Sequence, residues 1–304
     1  MNNKRVRASI NFSMRWLAAL AILLPATLNF SALAAQKMKP EDVVAKHLAA
    51  IGADADRAAV KNIVIAGTSL LTLTSPGKGQ NSGEVVLFSE GQMNMVGIKF
   101  YNPDYPHDKF GFDGTKMTVS YIKPGIRSTL GDFIYNRDFF LKQGLFGGTL
   151  STSWPLLNMA SREAKMEYGG TSKIKDRLVH ELKYSPRKGA DMRISMFFDA
   201  ETFHHVRTEY KQTVSGQLGG TTNRASSGAE GDKSGQRDLH YRLVEDFSDF
   251  KKEGKLTLPH TYKIGLSLER QNGNSYIAEW ELKLVRFSFN QQLEPSFFDA
   301  IAAN

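Results

Sequence analysis

The sequence predicts a mainly β protein of the α+β class: a single curved antiparallel sheet or unclosed β-barrel of about eleven strands, with an N-terminal helix and a helical insert as a lid. Three observations lead to this prediction. Apolar and polar residues alternate over most of the chain after residue 61. Short turns rich in Gly, Pro, Asn and Asp separate the alternating segments, and one apolar stretch of helical character interrupts them at about 130–164. Short connections join neighbouring strands, so the sheet should be an antiparallel meander.

The first 34 residues have the three parts of an export signal. Basic residues lie between Lys4 and Arg15, an apolar core runs from Trp16 to Leu24, and Ala32-Leu33-Ala34 is a small-x-small cleavage site. An uncleaved anchor is the alternative, but Pro25 ends the apolar run early. We therefore expect cleavage near Ala34, a periplasmic location, and one domain covering residues 35–304.

Composition excludes several classes of protein. The chain has no cysteine, which excludes disulfide bonds and thiolate chemistry. Its net charge of +8 falls to about +4 without the four basic signal residues, and the remaining cations are dispersed along the strands. Nucleic-acid binding is therefore not expected.

The mature chain begins with a predicted helix. Pro40 and two acids form its first turn, apolar residues recur at helical spacing to Ile51, and Gly52 ends it. His47 lies on the apolar stripe, which predicts a packed interface residue rather than a ligand. Asp54 can cap a second short turn.

Strands are predicted in two groups, before and after the insert. The first group is Ile63–Thr74, Glu84–Ser89, Met93–Tyr101, Lys109–Phe112 and Thr115–Ile122. The second group is Arg177–Tyr184, Asp191–Phe198, Phe203–Val214, Leu239–Phe247, Thr257–Glu269 and Ser275–Phe289. In the second group the apolar residues share one face and charged residues occupy the other, so one face is predicted to be wet and the other covered.

The insert at about 130–164 is predicted to be that cover. It contains two apolar segments of helical length on either side of Gly144-Leu145-Phe146-Gly147-Gly148. Glycines next to apolar residues suit a moving lid, and serine at Leu145 and Phe146 is then expected to weaken ligand binding more than stability. The alternative is that these aromatic residues fill a static core. The polar, glycine-rich segment at about 215–238 is predicted to be a solvated loop.

We find no arrangement of residues that indicates catalysis. A nucleophile elbow, a phosphate loop and a dinucleotide glycine motif are all missing, so we predict a non-enzymatic protein with no cofactor and no metal. A metal site assembled from histidines on distant strands stays open as an alternative. The neighbouring acids Glu245 and Asp246 should point to opposite faces, and we interpret both as solvated.

Several motifs carry a resemblance to a known family. They are the strand ends and turns Phe198–Thr202, Val206–Tyr210, Tyr241–Phe250, Leu258–His260 and Phe289–Asp299. Together with the N-terminal helix, this pattern resembles the outer-membrane lipoprotein-sorting proteins of the LolA-like group over nearly all of the mature chain. The resemblance implies an unclosed antiparallel barrel wrapped over lid helices, with an apolar cavity for acyl chains.

The resemblance and the apolar face together predict a carrier of acyl chains between membranes. Its partners would be an acylated lipoprotein or another lipid, an inner-membrane donor, an outer-membrane acceptor and, transiently, a membrane. The alternative is a periplasmic sensor or scaffold of envelope state, because similar folds occur in such regulators. The residues predicted to form the ligand cavity and lid are Met117, Val119, Phe139, Phe140, Leu145, Phe146, Trp154, Leu157, Met192, Ile194, Met196, Phe198, Ile264, Leu266, Leu268, Trp280 and Leu282.

Overall fold

A computed structural model describes residues 38–162, 164–186, 191–214, 238–270 and 275–301. The predicted signal segment and nearly all of the predicted loop at 215–238 lie outside these residues. The described residues from Met38 onward belong to one compact unit. The assignment of residues 35–304 to one lipid-binding domain remains a prediction.

Between Met38 and the first strand, the structure has two helices. Helix α1 (Pro40–Ile51) has proline and acids in its first turn and ends at Gly52, and α2 (Asp54–Ala58) is a short helix with the acids Asp54 and Asp56 in its first turn. The buried face of α1 includes Val43, Val44 and His47, so the sequence interpretation of His47 as a packed residue agrees with the structure.

Twelve antiparallel strands form one sheet, which confirms the predicted fold class. The strands are β1 (Asn62–Ser75), β2 (Gly79–Glu90), β3 (Met93–Asn102), β4 (Tyr105–Phe112), β5 (Met117–Val119), β6 (Lys165–Ile174), β7 (Arg177–Ser185), β8 (Arg193–Asp199), β9 (His205–Val214), β10 (Leu239–Glu253), β11 (Leu256–Arg270) and β12 (Ser275–Phe289). Their spatial order is β5-β4-β3-β2-β1-β12-β11-β10-β9-β8-β7-β6. The sheet is not closed, because β5 and β6 are its two edges.

Strand β6 is the one that the sequence did not reveal. It contains Gly169-Gly170, has a register irregularity between Tyr168 and Gly170, and is exposed along most of its length. An edge strand with so little burial carries no clear alternation. Strand β5 is shorter than predicted, with only three residues in the ladder.

The insert connects the two edge strands, so the chain crosses the concave face of the sheet between β5 and β6. It consists of α3 (Thr129–Tyr135), α4 (Phe139–Lys142) and two 3-10 segments, Gly148–Leu150 and Pro155–Ser161. The predicted second α-helix is therefore a 3-10 segment, which is interrupted by non-helical dihedral angles at Asn158.

The convex face is not uniformly wet. Ion pairs cover its centre, where Lys263 lies 3.0 Å from Glu279 and 2.6 Å from Glu281. Towards β3 and β4, however, the C-terminal segment packs Phe298 against Met95. The sequence prediction of a polar outer face is thus correct at the centre and incomplete at the sides.

Candidate functional site

The candidate site is the interface between the insert and the concave face of the sheet. Both surfaces are apolar, and their side chains form one continuous buried cluster. Phe146 of the insert makes an edge-on contact with Phe110 of β4 at 5.1 Å between ring centroids. Phe140 makes a similar contact with Tyr210 of β9 at 4.6 Å. The insert therefore lies closed on the sheet.

The structure brings the predicted cavity and lid residues together, with one exception. All of them except Leu157 belong to the cluster between insert and sheet, where Met117, Phe139 and Leu268 are partly buried and the others are buried. Leu157 is 37 % exposed and lies at the rim of the insert. In this closed arrangement the residues fill the core with one another, and their role in lining a ligand cavity remains a prediction.

The insert loop is joined to the sheet by a buried carboxylate, Glu245 of β10. Its Oε1 accepts hydrogen bonds from the backbone N–H of Gly147 at 2.7 Å and from the hydroxyl of Tyr262 at 2.5 Å. Its Oε2 accepts from the hydroxyl of Tyr210 at 2.8 Å, and that hydroxyl is also 3.1 Å from the carbonyl oxygen of Leu145. Burial raises the pKa of Glu245 to about 7, although these hydrogen bonds act in the opposite direction.

A second buried carboxylate, Asp108 of β4, is joined to the start of the insert. The indole N–H of Trp280 donates to it at 2.9 Å and the hydroxyl of Tyr105 at 3.0 Å. The hydroxyl of Ser128 also donates to Asp108, and the same oxygen accepts from the backbone N–H of Gly131 as the N-cap of α3. Burial raises the pKa of Asp108 to about 6.

Two further contacts join the insert to its surroundings. The indole N–H of Trp154 donates to Nε2 of His47 at 3.3 Å, while Nδ1 of His47 lies 3.0 Å from the carbonyl oxygen of Phe203. This arrangement requires neutral His47 with its proton on Nδ1, and burial accordingly lowers its pKa to about 4. The side-chain amide of Asn94 donates to the carbonyl oxygen of Leu141 at 2.9 Å.

The glycines of the insert loop have a packing role. Gly144 has a φ of +65°, and a Cβ there would lie 1.9 Å from the carbonyl oxygen of Ser153. Gly148 has a φ of +52°, and a Cβ there would lie 2.8 Å from Nδ1 of His205. Glycine is therefore required at these two positions for two reasons: the backbone has a positive φ, and there is no room for a Cβ atom. Leu145 and Phe146, which lie between these two glycines, are buried. The closed structure therefore does not support the expectation that serine is tolerated at these two positions.

An apolar groove of about 300 Å³ lies where the rim of the insert meets α1, α2 and the β10–β11 hairpin. Its walls include Ile51, Leu157, Leu256 and Leu258. The guanidinium of Arg57 lies at the same place and donates to the carbonyl oxygen of Leu48 at 2.7 Å. The groove lies next to the exposed side chain of Leu157 at the rim of the insert.

Among the described residues, no group of three or more His, Asp or Glu side chains is placed to hold a metal ion. The same part of the chain contains no helix that is long and apolar enough to cross a membrane. The interface between insert and sheet combines hydrogen-bonded acids and tyrosines with apolar side chains that fill it in the closed arrangement.

Sequence reasoning missed the two buried acids. Glu245 was interpreted as solvated, and this was wrong because its side chain is buried against the insert. A signal was present: Leu243, Glu245 and Phe247 alternate on one strand and therefore share the concave face. Asp108 shares a face with Phe110 in the same way. An acid in register with an apolar face indicates a buried polar contact.

The comparisons with known proteins concern the fold. No family model matches the sequence, and no curated protein sequence matches it. Among solved structures, a LolA superfamily protein from Nitrosomonas europaea is similar, with a TM-score of 0.45 and 10% identity, covering 86% of this chain and 97% of the other. A putative outer membrane lipoprotein-sorting protein domain from Vibrio parahaemolyticus has a TM-score of 0.39 and 11% identity, covering 84% and 94%.

A third similar structure is the MucA/MucB complex from Pseudomonas aeruginosa. The matched chain has a TM-score of 0.22 and 10% identity, covering 82% of this chain and 99% of the other.

Proposed function

We propose that this protein is a non-enzymatic carrier that binds the acyl chains of lipoproteins or other lipids between the insert and the concave face of the sheet. The observation that carries the proposal is the insert itself. It spans from one edge of an open sheet to the other and covers an apolar face, and it is joined to that face by a small number of identifiable hydrogen bonds. Displacing it would uncover a continuous apolar surface.

Burying one acyl chain is comparable in free energy to burying three side chains of the insert. Exposing Phe140, Leu145 and Phe146 costs on the order of 7 kcal/mol, at about 1.5–3 kcal/mol for each side chain. An acyl chain of about twelve methylenes supplies on the order of 10 kcal/mol when it is buried, before the cost of ordering it. A ligand chain can therefore replace the insert side chains. Release into water would expose both surfaces, so handover to a membrane or receptor is favoured.

The polar contacts decide how the insert can leave. Gly147 and Leu141 contribute backbone groups to Glu245 and Asn94, and water can satisfy these backbone groups once the insert moves. The acids stay on the sheet, where Tyr210 and Tyr262 continue to donate to Glu245. The groove beside Leu157 is the entrance that we assign to the ligand.

Export to a periplasm, an inner-membrane donor and an outer-membrane acceptor are parts of the same proposal. They are supported by the signal motif and the family resemblance of the sequence. In the alternative role as a sensor, the polar segment at 215–238 would contact the partner, and nearly all of this segment lies outside the described residues.

The first test is whether the protein carries lipid. Mass spectrometry of protein isolated in mild detergent should detect bound lipid or acylated protein, and a fluorescent fatty acid should bind to the delipidated protein. Absence of both signals would reject the carrier function.

The second test asks whether the insert must move. The chain has no native cysteine, so a single engineered pair gives one defined disulfide. In S89C/T152C the disulfide joins the sheet to the insert at a place where the Thr152 N–H donates to Ser89 Oγ at 3.0 Å. The oxidised variant should lose fatty-acid binding, and reduction should restore it.

The matched control is S75C/S275C, which joins two strands without touching the insert, where the two Oγ atoms are 2.8 Å apart. This disulfide should leave fatty-acid binding unchanged. Equal binding by oxidised and reduced S89C/T152C would show that the ligand does not enter beneath the insert.

A further inference from the structure

The convex face of β1 to β4 and β12 carries an uncovered apolar groove of about 630 Å³. The strand register places Ala66, Val86 and Gly97 side by side along its floor, with Arg286 next to Ala66 at one end and Lys109 next to Gly97 at the other. The floor lies low between its neighbours because two of its three residues are small. The C-terminal segment covers the neighbouring part of the convex face around Met95 and leaves this groove uncovered.

Two large side chains protrude from this surface. Val285 is 73 % exposed and Tyr101 is 69 % exposed, which makes them the two most exposed large apolar or aromatic side chains in the part of the chain that the structure describes. Val285 owes its exposure to a register irregularity in β12, where Ala66 pairs with Arg286 and Gly67 pairs with Leu284.

Cations outnumber acids around the groove, where Glu84 lies opposite Lys99 in the strand pairing. Within the described ranges, Lys99, Lys109 and Arg286 form no ion pair. One acid, Glu84, shares the surface, and it accepts a hydrogen bond from the hydroxyl of Tyr101 at 3.3 Å.

Elsewhere on the convex face some of the cations are paired. Arg207 contacts Asp246 at 2.6 Å, and Arg242 contacts Glu209 at 2.6 Å. At this groove, unpaired positive charge lies beside the two most exposed large side chains of the described residues.

From this combination we infer that the convex face of β1 to β4 and β12 docks on an anionic membrane surface. Lysine and arginine bring their aliphatic stems and charges to the headgroup region, and tyrosine is favoured at the same depth. Each cation near an anionic bilayer strengthens binding, and Val285 adds apolar burial. A protein partner is less well matched, because lysine is depleted from protein–protein interfaces.

This inference does not depend on the acyl-chain proposal, because it concerns the opposite face of the sheet. If the convex face docks on a membrane, the insert and the groove beside Leu157 do not face the bilayer. A vesicle assay and a fatty-acid assay therefore report on the two proposals separately.

The test is sedimentation of the purified protein with vesicles of phosphatidylcholine and phosphatidylglycerol, against vesicles of phosphatidylcholine alone. The wild-type protein should bind only the anionic vesicles, and binding should weaken as salt rises. K99Q/K109Q/R286Q should bind on the order of 100-fold more weakly, since three charges are removed. Y101S/V285S should lose about tenfold.

The control variant is K165Q/K173Q/K183Q, which removes three exposed lysines from β6 and β7 and changes the net charge equally. It should bind like the wild type. Equal binding of both triple variants would overturn the inference, because net charge alone would then explain attraction. Failure of the wild type to bind anionic vesicles would also overturn it, and retention on a polyglutamate resin in that case would assign the face to an acidic protein partner.

Discussion

Replacing Glu245 by glutamine tests the buried contact between the sheet and the insert. The amide oxygen can still accept from the Gly147 N–H and the Tyr262 hydroxyl. The amide NH₂ can donate to the oxygen of Tyr210, whose own hydrogen can turn to the carbonyl oxygen of Leu145 at 3.1 Å. The variant therefore keeps the network of hydrogen bonds and removes only the titrating charge.

The magnitude follows from the pKa of the carboxyl. Burial raises the pKa of Glu245 from an ordinary value of 4.5 to about 7, and one pKa unit corresponds to about 1.4 kcal/mol. Between these two values the folded protein binds more protons than the unfolded chain, so the free energy of unfolding falls as pH rises. The loss is complete above about pH 7 and amounts to about 3 kcal/mol.

Urea unfolding of the wild type and E245Q at about pH 5 and about pH 8 measures this difference. At the lower pH, where the carboxyl is mostly protonated, the two proteins should be about equally stable. At the higher pH, E245Q should be more stable by about 2–3 kcal/mol, because no charge is buried.

The control is E167Q, which makes the same chemical change at an exposed position of edge strand β6. Removing an exposed charge should not give this variant the gain of about 2–3 kcal/mol that E245Q shows at the higher pH. If the difference in free energy of unfolding between E245Q and the wild type did not change with pH, Glu245 would not titrate as a buried acid. That result would refute the effect that we assign to its burial.

Three other predictions follow from the same contacts. Burial raises the pKa of Asp108 from 3.8 to about 6, so the wild type should lose stability as pH rises through about 6, and calorimetry should show that D108N removes this dependence. L145S/F146S should lower the free energy of unfolding by about 5 kcal/mol or more, because both side chains are buried; urea curves close to those of the wild type would instead support a loosely held lid. G144A should be much less stable than G147A in thermal melts. Both glycines have a positive φ, but only a Cβ at position 144 would lie 1.9 Å from a backbone carbonyl oxygen. Equal losses of stability in the two variants would show that this close approach is unimportant.

Local sequence determined the elements with strong periodicity. The faces of β11 and β12 were predictable because residues such as Ile264 and Trp280 recur every second position, and both are buried. Helix α1 was predictable because Pro40 begins it and Gly52 ends it. The position of the insert was predictable because its apolar residues break the period of two.

Other elements depended on contacts between distant residues. Strand β6 exists because its backbone pairs with β7, although its own sequence has little apolar alternation. The convex face near Met95 is dry because the C-terminal Phe298 packs there, about two hundred residues away in sequence. Backbone pairing and packing between distant residues do not produce an alternation of apolar and polar residues in the local sequence.

The candidate site divides in the same way. The sequence by itself determined which apolar residues meet beneath the insert, because they share the face of their strands. Only the tertiary structure decided that Glu245 is buried and that the insert loop lies against it. The same acid on the same strand would be solvated if the insert were elsewhere, because its pKa and hydrogen bonds depend on the segment that covers it and not on its neighbours in the chain.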